Sequence, residues 1–177
     1  GYDFQMSDFI VNVLDQSPVT SATNPALAVA ESIALAEHTD ALGYRRFWLA
    51  EHHNTSAFAG AAPEILIGHI AARTQHLRVG SGGIMLPHYS PMKVAEVFRM
   101  LETLAPKRID LGLGRAPGGD ARTAAALQAG PKAWPAEVFP QQVEMLIQCL
   151  EDAAGLTGEA GGVPDAHPYQ GIRAQPL

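Results

Sequence analysis

Residues 46–54 read RFWLAEHHN, an apolar run that ends abruptly in a carboxylate and two imidazoles. The apolar part, 47–50, predicts a buried strand of a parallel sheet. In a parallel α/β protein the chemistry lies where the strands end. We therefore take Glu51, His52 and His53 as a candidate acid/base cluster. For this run alone, a strand that simply ends in a polar loop is an equally good interpretation.

The sequence on either side alternates short apolar runs with longer helical patterns, which predicts βαβ units and a parallel sheet. Asn24-Pro25, Pro63 and Ser90-Pro91 mark helix starts, because Asn and Ser cap helices and proline is favoured at the first helical position. The predicted strands are 10–14, 47–50, 77–81 and 109–113, and the predicted helices are 24–43, 63–74, 90–104, 120–128 and 139–154. In the first helix a rough helical period is kept by the apolar residues Leu27, Ala30, Ala34, Leu35 and Ala41.

Four βα units are half of a (β/α)8 TIM barrel, which needs about 250 residues. A doubly wound open sheet would place a glycine-rich turn after the first strand. Here that loop reads DQSP at 15–18, without glycine, which favours the barrel. We expect residues 1–9 to be a leader or an upstream remnant, and residues 10–177 to be the N-terminal half of a single TIM-barrel domain. An incomplete barrel leaves two open sheet edges.

Composition narrows the function classes. The 177 residues are 47% hydrophobic, with a formal net charge of −6 and only 12 scattered Lys and Arg, which argues against nucleic-acid binding. Cys149 is the only cysteine, so neither a disulfide framework nor a thiolate metal site is expected. No apolar span approaches the roughly 20 residues of a membrane helix, and no signal-peptide pattern opens the chain. We expect a cytoplasmic protein that does not bind membranes.

The two histidines differ in the direction they face. Adjacent residues of an extended segment point to opposite sides, so Glu51 and His53 share a side and His52 takes the other. No third ligand follows at a spacing typical of zinc sites, which makes a metal site the weaker interpretation; a His-based metal hydrolase stays an alternative. Because an imidazole suits proton transfer near neutral pH, we predict that His52 is catalytic. Packing beside the site is the alternative for His52.

The next two strand ends carry glycines and an arginine. Gly82-Gly83 would let backbone approach a flat ligand closely, although an ordinary tight turn explains them too. Arg115, which stands among glycines, has the charge and the hydrogen-bond donors of a phosphate-binding residue, although a surface arginine is the alternative. The segment lacks the Gly-Lys-Ser/Thr of a nucleotide-binding P-loop. Together the strand ends suggest a phosphorylated planar cofactor, and flavin mononucleotide (FMN) fits that description.

At this point several motifs, in order, resemble those of the luciferase-like flavin-dependent monooxygenases, the bacterial luciferase superfamily. The similarity is to the luciferase-family oxidoreductase subgroup and covers the N-terminal half of such proteins. The matching segments are VLDQSP at 13–18, WLAEHHN at 48–54, APE at 62–64, AART at 71–74, RVGSGGIMLP at 78–87, SPMKVAE at 90–96 and RIDLGLGRAPG at 108–118.

The resemblance implies a TIM barrel that binds reduced FMN, supplied by a separate reductase, and reacts with O2 through a flavin C4a-hydroperoxide to oxygenate a small organic substrate. In it His52 matches the active-site histidine and Glu51 the neighbouring acid near the flavin. We assign catalysis to these two residues.

The same resemblance assigns the cofactor-binding residues. Gly82 and Gly83 fall where the family has a non-prolyl cis peptide behind the isoalloxazine ring, and Arg115 matches the arginine that contacts the flavin phosphate. We assign cofactor binding to these three residues and to Ser81, and no residue to a metal.

Family members carry about as much chain again, so we expect this truncated chain to be inactive or impaired. The alternatives are a deazaflavin-dependent oxidoreductase on the same fold and a non-catalytic half-barrel that binds flavin or associates with itself. The expected partners are a flavin reductase and a second copy, joined as a homodimer or through the open sheet edges.

Overall fold

Four parallel strands, paired in chain order β1-β2-β3-β4, form the sheet within the described residues. The computed structural model describes residues 10–116, 119–128, 135–153 and 174–176. Residues 1–9, for which a leader or remnant is predicted, lie outside them, as do residues 154–173 and 177. The elements are β1 (Asn12–Asp15), α1 (Pro25–Ala41), β2 (Arg46–Leu49), α2 (Pro63–Arg73), β3 (Arg78–Met85), α3 (Pro91–Leu104), β4 (Ile109–Gly114), α4 (Ala121–Leu127) and α5 (Phe139–Ala153).

The predicted helix starts are confirmed. The Asn24 side chain accepts a hydrogen bond from the backbone N–H of Leu27 at 2.9 Å, and Pro25 is the first residue of α1. Ser90 caps α3 in the same way, and α2 begins at Pro63. These caps satisfy backbone donors that the first helical turn leaves unpaired.

The two faces of the sheet differ in what covers them. Phe47 and Leu49 of β2 are buried in the core together with Ile67 and Ile70 of α2. Because side chains alternate along a strand, Trp48 points to the opposite face. Leu14, its register partner on β1, is 58% exposed there. The helices therefore cover one face, and the face that carries Trp48 is open in the described part of the chain.

In α1 the helical period of the apolar residues predicted the wrong buried face. All five of its predicted apolar positions are exposed. Small polar residues are buried instead because their hydroxyls are satisfied: Ser32 donates to the backbone oxygen of Ala28 at 3.1 Å, and Thr39 to that of Ala36 at 3.0 Å. The buried residues of α1 are Ala28, Ser32, Ala36 and Thr39.

The third strand is longer than predicted. It continues through Gly82-Gly83 to Met85, so these glycines lie inside β3 and not in a turn after it. The pairing with β4 shifts register between Ser81 and Ile84. A Cβ on Gly83 would lie 2.8 Å from the backbone oxygen of Gly112, so the two strands can approach here only because a side chain is absent.

At the amino ends of the strands, Asp110 lies between two guanidinium groups. It accepts from Arg46 Nε at 3.0 Å and from Arg78 Nη2 at 2.6 Å. Burial acts to raise the pKa of Asp110, but the hydrogen bonds and charges of the two arginines outweigh it and leave this pKa lowered. This amino-end cluster, Arg46, Arg78 and Asp110, joins β2, β3 and β4.

Candidate active site

The loop that follows β2 is held against the loop that follows β1. The backbone N–H of Ala59 donates to the oxygen of Ser17 at 2.9 Å, and Pro18 and Phe58 form an antiparallel bridge. The backbone N–H of His52 donates to the oxygen of Gly60 at 2.9 Å. The position of His52 at the carboxyl end of β2 is therefore fixed by backbone contacts on both sides of its loop.

His52 itself is half-buried, and its ring stacks on Phe58 with centroids 4.4 Å apart and planes 28° apart. Its Nδ1 is buried and has no hydrogen-bond partner among the described residues. A buried N–H without an acceptor costs about 1–3 kcal/mol. The packing therefore favours the tautomer with the proton on Nε2.

Glu51 is fully buried and accepts three hydrogen bonds. Its Oε1 lies 2.6 Å from Nε2 of His53 and 2.5 Å from the hydroxyl of Tyr89. Its Oε2 accepts from the backbone N–H of Met85 at 2.9 Å. As predicted, Glu51 and His53 lie on the same side. The carboxylate links the end of β2 to the end of β3.

Two groups near Glu51, the side chains of Tyr89 and Glu64, have shifted pKa values. Burial, helped by the hydrogen bond to Glu51, raises the pKa of Tyr89 far above its usual range. Burial also raises the pKa of Glu64, on the first turn of α2, and the charge of Glu51 adds to this shift. Both shifts favour the protonated, uncharged form of the side chain, and in this form each group can donate a hydrogen bond. The carboxyl-end cluster consists of Glu51, His53, Glu64, Met85 and Tyr89.

The predicted cofactor-binding residues of β3 differ in exposure. The peptide bond between Gly82 and Gly83 is cis, as the resemblance implies. Gly82 is exposed beside Leu14 and Trp48 on the open face, where an added Cβ would lie 3.1 Å from an atom of each. Ser81 is buried, and its hydroxyl donates to the oxygen of Gly112 at 2.8 Å. Cofactor contact by Ser81 stays a prediction, and its hydroxyl serves the β3–β4 junction.

Arg115 directly follows β4 and is exposed. Its phosphate contact stays a prediction. Beyond it, Asp120 caps the short helix α4 by accepting from the N–H of Thr123 at 2.8 Å. The hydroxyl of Thr123 in turn accepts from the amide of Asn54 at 2.9 Å. Helix α4 thus lies against the loop that carries the histidines.

Sequence reasoning missed three residues of the site. Tyr89 and Phe58 contact Glu51 and His52 only through tertiary structure, and nothing in their local sequence marks them. Glu64 stands within the APE segment at 62–64, but its proximity to Glu51 could not be read from its spacing.

No group of three or more His, Cys, Asp or Glu side chains that could hold a metal is found in the described ranges. None of the described helices is long and apolar enough to cross a membrane.

Comparison with known proteins matches residues 7–153 to the family described as Luciferase-like monooxygenase. N-acetyl-S-alkylcysteine monooxygenase of Bacillus subtilis (strain 168) is 43% identical over 166 residues, which is 94% of this chain and 47% of that protein. The protein in the crystal structure of apo-MsnO8 has 44% sequence identity to this chain. The two structures superpose with a TM-score of 0.77 over 89% of this chain and 46% of that one.

A more distant structure shares the fold. It is the oxygenating constituent of 3,6-diketocamphane monooxygenase of Pseudomonas putida in complex with FMN, with a TM-score of 0.70 at 17% identity, over 81% of this chain and 39% of that one. The chain spans about half the length of the curated relatives it matches.

Proposed function

The chain belongs to the luciferase-like monooxygenase family, and we propose that it supplies the flavin-binding part of an FMN-dependent monooxygenase. The fold is that of the luciferase-like TIM-barrel monooxygenases, of which this chain covers about half, as predicted from the sequence. Bound reduced FMN supplies two electrons, so that one atom of O2 enters the substrate and the other leaves as water. A separate flavin reductase is the proposed source of reduced FMN.

The observation that carries the proposal is an apolar surface on the open face of the sheet, formed by Leu14, Trp48 and Gly82 and called the floor. Leu14 and Trp48 meet at Gly82, where the lack of a side chain leaves a flat surface beside two apolar groups. A planar ring system buries most area against such a surface. FMN fits the residues present, because this floor lies on β1, β2 and β3, while His52 follows β2 and the exposed Arg115 follows the neighbouring β4.

Each of these residues has a distinct proposed role. The floor would hold the isoalloxazine ring, and Arg115 would bind the phosphate through charged hydrogen bonds. His52 presents Nε2–H toward the bound ligand, since its Nδ1 is buried. Glu51 is fully buried, and its proposed part in catalysis is to hold His53 and Tyr89 through hydrogen bonds.

The proposal is tested by fluorescence titration of the full protein that contains this chain, using FMN, riboflavin and the deazaflavin F420. We expect FMN to bind at least tenfold more tightly than riboflavin, because only FMN carries the phosphate that Arg115 contacts. Binding of F420 without FMN would establish the deazaflavin alternative. Binding of none of the three would refute both.

The substrate class is tested by turnover with a reductase and O2. The relative that is 43% identical is named for N-acetyl-S-alkylcysteine, so organic sulfides of this type are the first compounds to test. We expect one oxygen atom from 18O2 in the product. Consumption of O2 with hydrogen peroxide as the only product, across sulfides and other small organic compounds, would contradict monooxygenation.

The open edge of the sheet supports a second proposal, association with a second copy. Ile10 and Val11, which lie just before β1, are each more than half exposed. Apolar strand edges of this kind pair with other chains unless they are covered. Light scattering on the full protein should give the mass of a dimer. A monodisperse monomer that turns over substrate would exclude a required dimer.

A further inference from the structure

The buried carboxylate of Glu51 is held by donors from three places in the chain. We propose that Tyr89 is a positioning residue, whose hydroxyl fixes the Glu51 carboxylate so that this carboxylate orients the ring of His53, the neighbour of His52 in the loop after β2. The inference deepens the proposed function and rests on it for its effect on turnover. Its structural part, the control of His53 by Tyr89, is measurable without flavin.

The first step is that Oε1 of Glu51 serves two donors at once. The hydroxyl of Tyr89 and Nε2 of His53 lie 2.5 and 2.6 Å from the same oxygen, and 3.4 Å from each other. Both are within hydrogen-bond reach of Oε1, and a carboxylate oxygen can accept both. Moving the carboxylate would therefore move the ring of His53.

The second step is that the carboxylate cannot be held by its other oxygen alone. Oε2 is fixed by the N–H of Met85, which leaves rotation about that contact open unless Oε1 is fixed too. His53 cannot supply this restraint for its own orientation. Tyr89, on the turn after β3, is the one remaining described side chain that hydrogen-bonds Oε1.

The third step is that a neutral donor suits this place. Glu64 lies close enough for its charge to act on Tyr89 and for the charge of Glu51 to act on it in turn, so the cluster already holds two carboxyl groups. Among the described residues, no guanidinium or ammonium hydrogen-bonds or ion-pairs with Glu51, as two arginines do with Asp110. A phenol donates a hydrogen bond without adding charge, and it stays protonated here because burial raises its pKa.

The test compares Tyr89→Phe with Tyr44→Phe in the full protein. Tyr44 is also a half-buried tyrosine packed on the core, but its hydroxyl takes no part in the carboxyl-end cluster. The first readout is NMR of the ring nitrogens and Nε2 proton of His53, without flavin. We expect the His53 signals to shift and the Nε2 proton to exchange at least tenfold faster in Tyr89→Phe, and to stay unchanged in Tyr44→Phe. Unchanged His53 signals in Tyr89→Phe would overturn the inference.

The second readout uses FMN. In single turnover of the reduced FMN complex with O2, we expect Tyr89→Phe to change the rate of hydrogen peroxide release at least fivefold, with the dissociation constant of FMN within twofold of the unmutated value. In a Glu51→Ala background the same substitution should add less than twofold, because alanine offers the Tyr89 hydroxyl no acceptor and Tyr89 acts through Glu51. A full fivefold effect in that background would overturn the route through Glu51.

Two outcomes separate the inference from the proposed function. If the unmutated protein binds no FMN, the proposed function fails, and the His53 signals still decide the role of Tyr89. If Tyr89→Phe does not fold, 3-fluorotyrosine at position 89 keeps the ring and hydroxyl while making the phenol more acidic. It should shift the His53 signals, whereas 3-fluorotyrosine at position 44 should not. Equal signals in both labelled proteins would overturn the inference.

Discussion

The two ends of the sheet each hold a carboxylate, and they pair it in opposite ways. At the amino ends, Asp110 lies between Arg46 and Arg78, whose charge is permanent. At the carboxyl ends, Glu51 is paired with an imidazole, a phenol and a backbone N–H. The first arrangement holds its carboxylate with permanent positive charges, whereas the second holds its carboxylate with an imidazole and two uncharged donors.

The difference shows which end can carry chemistry. A carboxylate between two guanidinium groups is satisfied and partly open to solvent, so its role is to tie three strands together. A fully buried carboxylate without an arginine is costly unless each of its donors is in place, and such sites are typical of active centres. In parallel α/β barrels the carboxyl ends carry function and the amino ends carry stability.

Glu51→Ala should give the largest change, because it would leave Tyr89, His53 and the N–H of Met85 without their acceptor. Removing one partner of a buried charge network costs about 3–5 kcal/mol. Urea unfolding of the full protein should show this loss of free energy of unfolding. A loss below about 1 kcal/mol would place Glu51 in the same class as a surface ion pair and end the contrast with Asp110.

His52→Ala should sharpen the contrast by removing activity without removing stability. General acid–base groups contribute about 100-fold or more to rate, so oxygenated product should fall by about that factor on the best substrate found. The FMN dissociation constant should change little, because the apolar floor and Arg115 remain. Unchanged product yield would remove His52 from the chemistry.

Arg115→Ala should weaken FMN binding by about tenfold, the effect of losing one charged hydrogen bond of about 1.5 kcal/mol. Riboflavin binding should not change, because riboflavin has no phosphate for Arg115 to contact. Fluorescence titration with both ligands measures the difference. If the affinities for FMN and riboflavin fall together, Arg115 does not bind the phosphate.

Asp110→Asn should give the smallest effect, a loss of about 1 kcal/mol in free energy of unfolding, because the ion pairs are partly exposed. The pKa of Asp110 is lowered in the folded state, so its contribution is present above the ordinary value of 3.8 and is lost as pH falls through the lower folded value. The difference in free energy of unfolding between the variant and the unmutated protein should therefore be full at pH 7 and should shrink as the pH is lowered below 3.8. A difference that grows on acidification would contradict the pairing.

The fold was largely predictable because its signals are local. Asn24, Pro63 and Ser90 each mark a helix start through the chemistry of the first turn. The buried face of α1 was not predictable, since Ser32 and Thr39 are satisfied by backbone oxygens that sequence periodicity does not show. The path of β3 through Gly82-Gly83 depends on the close approach of β4.

The site was predictable in its first residues and not in the residues that hold them. Glu51 and His52 follow a recognisable strand, so their place at its carboxyl end could be read from the sequence. Tyr89 lies 38 residues after Glu51, and only the pairing of β2 with β3 brings the two together. Phe58 stacks on His52 because two loops bridge at Pro18, a contact without a sequence signal.

The most direct measurement of the central claim is the FMN dissociation constant of Arg115→Ala and Asp110→Asn, determined side by side with the unfolding free energy of each. A carboxyl end that binds flavin and an amino end that holds the sheet predict opposite results. Arg115→Ala should lose about tenfold in FMN affinity and keep its stability, and Asp110→Asn should lose about 1 kcal/mol of stability and keep its FMN affinity. Equal loss of FMN affinity in both variants, or no FMN binding by the unmutated protein, would contradict the account.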